Sequence, residues 1–371
     1  IAGKFEGGAM VTASHLPGGM NGFKLCREAA IPLSGDQGLP ALEQMVRASP
    51  DVKLPVSLSE RYLQVDYMDD YMTSLVRYVH NPRSLRIVVD AGNGMAGPEV
   101  LRLFKKFPSW HLVPMFMDPD GSFPHHIPNP LLPASTKELQ ERVIKEKADL
   151  GVAFDGDADR VGFIDENGER IAEDLVTALV AEFLLSKEPG AAILYDLRSS
   201  RVVPEVIGKL GGRALRCRVG HSFIKAKMRE ENALFAGELS GHYYFRDMGF
   251  TDNGIFATIQ MLNFLSLKKQ PLSRLIQPLK KYSDSGEINI RVKDKEAVFS
   301  ALEAKFSDAR LDHLDGLTAV YDSWWFNLRP SNTEPVIRLN IEADDPKVLE
   351  EKKRTVLKII ENSDPGRQVV G

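Results

Sequence analysis

Cysteine is scarce: the chain has two, Cys26 and Cys217, far apart and with no metal-type spacing, which suits buried thiols in a reducing compartment. No apolar run approaches the length of a membrane span, so no membrane partner is expected. No basic excess exists either. Lys+Arg is 47 against 51 for Asp+Glu, a net charge of −4, which is no electrostatic footprint for nucleic acid. Asn-x-Ser/Thr sequons and low-complexity stretches are both missing, in keeping with an intracellular, cytoplasmic protein. The chain opens on Ile1 rather than methionine, so a targeting peptide, for a plastid for example, is not readable. What remains is an ordinary soluble composition, 43% hydrophobic and 26% charged, over 371 residues, enough for two to four domains.

Strand-like and helix-like stretches alternate through the first three quarters. "LRIVVDAG" (85–92), "ADLGVAFD" (148–155) and "AAILYDL" (191–197) are short apolar runs ending in a carboxylate or glycine. Helical patterns such as "EDLVTALVAEFLL" (173–185) and "SRVVPEVIGKLG" (200–211) lie between them. This alternation predicts βα units and mostly parallel sheets, with ligands met beyond the C-terminal strand ends. Asp90, Asp155 and Asp196 stand at those ends. "EINIRV" (287–292), two helical stretches and the runs "LTAVYDSWWFNL" and "VIRLNIEA" predict an antiparallel α+β unit at the end. Boundaries are placed near residues 62, 186 and 284, giving units 1–62, 63–186, 187–284 and 285–371. A strand followed by a helix opens both the second and third units, which hints at an internal repeat.

Four loops carry chemistry. In "DGDADR" (155–160), Asp155, Asp157 and Asp159 alternate with small residues, so a curved loop turns three carboxylates toward one point. Such oxygens repel unless a cation sits among them, and their hardness suits Mg²⁺ or Ca²⁺. The rivals are a solvated acidic turn and an EF-hand, whose sixth position needs glycine where Arg160 stands. In "TASHLPGGMNGFK" (12–24), Ser14 beside His15 and near Lys24 reads as a nucleophile or phosphoryl carrier, or as a plain turn. "FNLRPSNTEP" (326–335) gathers Arg329, Ser331, Asn332 and Thr333 as a phosphate cradle or a hairpin turn. "GELSGHYYF" (237–245) offers Glu238 and Ser240 to sugar hydroxyls, with His221 and Arg198 upstream; a lone histidine is as readily structural.

Taken in order, the motifs Thr-Ala-Ser-His, Asp-Gly-Asp-x-Asp-Arg, Gly-Glu-x-Ser-Gly-His and Arg-x-Ser-Asn-Thr-Glu-Pro resemble the α-D-phosphohexomutase superfamily, in its phosphomannomutase/phosphoglucomutase branch. The resemblance covers nearly the whole chain. It implies three related α/β domains and a C-terminal α+β domain around a central cleft. It also implies interconversion of hexose 1-phosphate and hexose 6-phosphate through a hexose 1,6-bisphosphate such as glucose 1,6-bisphosphate. By that likeness Ser14 is the phosphoserine, and Asp155, Asp157, Asp159 and a phosphoserine oxygen hold Mg²⁺. His15 and Lys24 serve proton transfer or charge stabilisation, and Arg160 contacts the reacting end of the sugar. Glu238 and Ser240 read the sugar, aided by His221 and Arg198, while Arg329, Ser331, Asn332 and Thr333 clamp the distant phosphate. Small sugar phosphates are the expected partners, on a monomer or weak homo-oligomer.

Two features depart from the family pattern. Leu16 stands where an Asn commonly follows the histidine, and the Tyr-Asp-Ile-Arg-Gly-like motif is not found before Ile1. The alternative function is therefore a non-catalytic sugar-phosphate-binding protein on the same fold. The expectation is also of a longer working polypeptide, supplying further strands and an arginine loop to the first unit.

Overall fold

Strands buried on both faces need covering layers on both sides, and two such strands organise the middle of the molecule. A computed structural model describes residues 5–16, 19–35, 38–49, 63–331 and 336–370. In it Leu150–Phe154 and Ala192–Asp196 are buried at every residue. The second unit orders its strands Trp110–Met115, Leu85–Asp90, Leu150–Phe154 and Val161–Ile164, the first three parallel and the last antiparallel. The third unit repeats that plan with Arg213–Cys217, Ala192–Asp196, Phe235–Gly237 and Tyr243–Phe245, then adds Thr251–Asp252 at the edge. Equal order and equal strand sense bear out the repeat.

The two units share one core, which runs from Ile87, Val152 and Phe163 to Ile193, Phe235 and Tyr243. Helices Glu173–Leu185 and Gly254–Lys268 lie within it, and their apolar residues face all round because they are enclosed all round. The boundary expected near residue 186 falls just past the end of helix Glu173–Leu185. Helix Glu173–Leu185 rests on helix Val202–Lys209 and strand Phe235–Gly237, so it belongs to the third unit.

In the first unit, Gly7–Val11 pairs antiparallel with Phe23–Arg27, in register from Gly7↔Arg27 to Val11↔Phe23. The strand leading to Ser14 is therefore one arm of a hairpin whose connection is the serine loop. The last unit is the expected α+β domain. Strands Ile288–Arg291, Leu317–Val320, Trp324–Pro330 and Ile337–Ala343 lie in a seven-stranded antiparallel sheet, under the paired helices Lys295–Lys305 and Pro346–Ser363. Its core, around Phe326, Leu339 and Val356, is separate from the central one. Among the described residues no helix is long and apolar enough to cross a membrane.

Candidate active site

The buried strand Leu150–Phe154 delivers the chain to Asp155, where a tight turn reverses it into Val161–Ile164. The turn closes with Ala158 in the left-handed region at φ 63° and with the Arg160 amide donating to Asp155 Oδ1 at 3.1 Å. Asp155, Asp157 and Asp159 each place a carboxylate oxygen within 4.8 Å of the others. Burial, then the charges of Asp159 and Asp157, push the Asp155 carboxyl well above its ordinary range. Asp159 moves the other way: burial opposes its ionisation, but His242 and Lys24 outweigh burial and hold it well below. Lys24 Nζ donates to Asp157 Oδ2 at 2.7 Å and also to Asp159 Oδ2.

Among the described residues, Asp157 Oδ1 is buried with no hydrogen-bond partner. An all-oxygen nest with an unsatisfied carboxylate oxygen fits a hard divalent cation such as Mg²⁺. The flanking elements are strands rather than helices, which removes the EF-hand reading.

The serine loop lies directly on this turn. A side-chain carbon at Gly156 would stand 2.3 Å from the Ser14 carbonyl oxygen, so only glycine permits the approach. Ser14 itself is left-handed at φ 54°, and its hydroxyl donates to Asp155 Oδ2 at 2.9 Å. His15 Nδ1 is 3.3 Å from the same hydroxyl. Burial, with the positive charges of Arg160 and His242, lowers the His15 pKa to about 4, against the pull of Asp159 and Asp157. The ring is therefore neutral at pH 7 and able to accept a proton.

The loop carrying Glu238 is joined to the loop carrying Asp155 through the backbone. Val161 N donates to Gly241 O at 3.0 Å, and Gly254 N donates to Ala158 O at 3.1 Å. Glu238 is buried and accepts from the Tyr244 hydroxyl at 2.7 Å. His242, to which the sequence reading gave no role, is the hub here. Its Nδ1 lies 2.7 Å from Ser240 Oγ and 3.5 Å from Glu238 Oε2, and its Nε2 lies 3.3 Å from Asp159 Oδ1. Burial lowers the affinity of His242 for a proton, but Asp159 and Glu238 outweigh it and hold the pKa up at about 10. Glu238 is lowered in turn: burial opposes its charge, while His242, Arg198 and the Tyr244 hydroxyl favour it. Arg160 Nε lies 3.3 Å from His242 Nε2 and 3.8 Å from Asp155 Oδ2. His221 starts helix His221–Glu230, where burial and the Lys225 ammonium lower its pKa. The sequence signal for His242 was the last letter of Gly-Glu-x-Ser-Gly-His.

A second wall belongs to the last unit. Arg329, buried on strand Trp324–Pro330, donates through Nη2 to Glu287 Oε2 at 2.9 Å. Glu287 also accepts from Arg198 Nη1 and Arg338 Nη1, each at 3.1 Å. Arg198 Nη2 lies 2.6 Å from Asp196 Oδ2, the oxygen that accepts from Leu239 N at 2.9 Å. Arg198 thus braces the loop carrying Glu238 against the Arg329 strand. Ser331 follows that strand, with its amide donating to Val336 O at 2.9 Å. Asn332 and Thr333 lie outside the described residues.

Four family models of the phosphoglucomutase/phosphomannomutase domains match this chain in sequence order. Domain I matches residues 2–51, domain II 66–168, domain III 172–282 and the C-terminal domain 287–359. The chain belongs to the phosphoglucomutase/phosphomannomutase family. It is accordingly an isomerase. A phosphomannomutase of Methanocaldococcus jannaschii is 38% identical over 366 residues, 98% of this chain and 80% of that protein. A phosphomannomutase of Escherichia coli K12 is 38% identical over 365 residues, 96% of this chain and 80% of that one. A crystal structure of a phosphoglucomutase/phosphomannomutase family protein from Burkholderia thailandensis superposes with a TM-score of 0.87 at 34% identity, covering 98% of this chain and 78% of that one.

Proposed function

We propose that the protein interconverts hexose 1-phosphate and hexose 6-phosphate, of glucose, mannose or both, through a phosphoserine at Ser14 and a hexose 1,6-bisphosphate. The observation that carries this reading is the Ser14 hydroxyl 2.9 Å from Asp155 inside a nest of three carboxylates, beside a neutral histidine. Asp155, Asp157 and Asp159 would hold Mg²⁺, which offsets the charge of the phosphoryl group at Ser14 when bound. In the forward half-reaction the Ser14 Oγ–P bond breaks and a sugar O–P bond forms. The sugar hydroxyl yields its proton to His15, and Lys24 and Arg160 supply positive charge at the reacting end. Glu238 and Ser240, with His242 between them, read the sugar hydroxyls. Arg329 and Ser331, with Asn332 and Thr333, clamp the phosphate that is not reacting. The bisphosphate then turns end for end, and its other phosphoryl group returns to Ser14.

Two unpaired cysteines suit a reducing compartment, and we place the protein in the cytoplasm. A coupled mutase assay on glucose 1-phosphate and mannose 1-phosphate, with and without glucose 1,6-bisphosphate, tests the reading. Turnover stimulated by the bisphosphate is expected. Tight binding of either sugar phosphate without turnover would instead favour the non-catalytic alternative.

A further inference from the structure

We infer that Thr12 is a positioning residue that sets the catalytic serine and the cation nest relative to each other. This rests on the mutase reading of the site. Thr12 lies in the hairpin connection, with its amide held by Gly22 O at 2.9 Å. Its hydroxyl works in two directions at once. It donates to Asp157 Oδ2 at 2.7 Å, a contact between residues 145 apart in sequence, and it accepts from the Ser14 amide at 2.9 Å. The second bond closes a local turn across Ala13 and holds Ser14 in the left-handed conformation that a serine otherwise avoids.

The first bond decides which oxygen of Asp157 is free. Oδ2 is taken by the Thr12 hydroxyl and by Lys24 Nζ, each at 2.7 Å. Among the described residues, Oδ1 is left buried with no hydrogen-bond partner. Thr12 thereby fixes the rotation of the Asp157 carboxylate so that one oxygen is spent on the serine loop and the other is presented to a cation. Neither alanine nor valine at position 12 could do this, whereas serine keeps both the donor and the acceptor.

The test compares Thr12→Val with Thr12→Ser by Mg²⁺ calorimetry, by the extent of Ser14 phosphorylation after glucose 1,6-bisphosphate treatment, and by kcat and KM for glucose 1-phosphate. Thr12→Val should weaken Mg²⁺ binding by about tenfold or more, the scale of one lost hydrogen bond to a charged group. It should lower kcat and Ser14 phosphorylation while KM stays within about twofold, because the sugar and phosphate walls are untouched. Thr12→Ser should stay within about threefold of the parent in all three. If valine prevents folding, Thr12→Ala removes the hydroxyl without a new methyl group at Asp157 and carries the same expectation. An unchanged Mg²⁺ affinity in a folded hydroxyl-free variant overturns the proposal, as does a serine variant impaired as badly as the valine one. A failure of the mutase reading itself would show separately, as a parent protein with no turnover and no phosphoserine.

Discussion

The loop that carries Asp155, Asp157 and Asp159 grows from a strand buried along its whole length, whereas the strand leading to Ser14 is exposed along its whole length. The acidic loop is fixed by its own sheet and by backbone bonds to the loop carrying Glu238 on the neighbouring unit. The serine loop takes its position from what it touches: Gly156 beneath its backbone, Asp155 on its hydroxyl, and Lys24 reaching across to Asp157 and Asp159. Among the described residues, this acidic platform therefore orients the Ser14 hydroxyl.

The largest expected effect separates chemistry from scaffold. Ser14→Ala should cut mutase turnover by roughly 10⁴-fold or more, since removing a nucleophile removes the covalent route. Circular dichroism and melting temperature should stay near those of the parent, because the platform does not depend on the loop. Near-normal turnover would take Ser14 out of its role.

Next comes the contact between the two loops. Gly156→Ala places a methyl group against the Ser14 carbonyl and displaces the nucleophile without touching any reacting group. A loss of about 10²-fold in kcat is expected, the scale of an ångström-sized misplacement. Gly19→Ala is the contrast on the serine loop, where among the described residues no atom lies within 4 Å of the added carbon. Its positive φ still carries a strain cost, so a lowered melting temperature with kcat within about threefold is the expected result. Equal kcat losses at both positions would mean the platform argument is wrong.

How far this was legible in the sequence depends on the range of each interaction. The Asp-x-Asp-x-Asp spacing and the apolar strand before it are local, so the nest could be read directly. The hairpin pairing of Gly7–Val11 could not, because antiparallel and parallel strands share the same period. Nor could the assignment of helix Glu173–Leu185 to the third unit, since an all-round apolar helix does not say which sheet encloses it. Thr12 and His242 escaped for a related reason: each works through a partner far along the chain, Asp157 and Asp159 respectively.

Smaller effects distinguish the two proposed substrate walls. Glu238→Ala should raise KM for hexose phosphates by about tenfold or more, from lost hydrogen bonds to a charged group, while inhibition by inorganic phosphate stays near normal. Arg329→Ala should weaken both. The opposite pattern would exchange the two walls.

A separate effect is on stability rather than activity and lies on the buried side of the comparison. Glu99, on helix Ala96–Phe104 beside the Tyr71 hydroxyl, is raised by burial from 4.5 to about 7. Between those values the folded chain holds a proton that the unfolded chain has released. Stability present at pH 4.5 should therefore be lost as pH rises toward 7, by up to about 3 kcal/mol. Glu99→Gln should flatten that slope in urea titrations across the window. A slope of opposite sign would contradict the burial argument.

The proposed role of Ser14 as phosphoryl carrier on the acidic platform is addressed most directly by one measurement. The protein is incubated with glucose 1,6-bisphosphate and Mg²⁺, digested, and the peptide containing Ser14 is weighed, in parallel with an Asp157→Asn variant. The parent peptide should gain one phosphate on Ser14 at a rate fast enough to account for turnover, and the variant should gain it orders of magnitude more slowly. Sustained turnover by a parent whose Ser14 never carries phosphate would contradict the account.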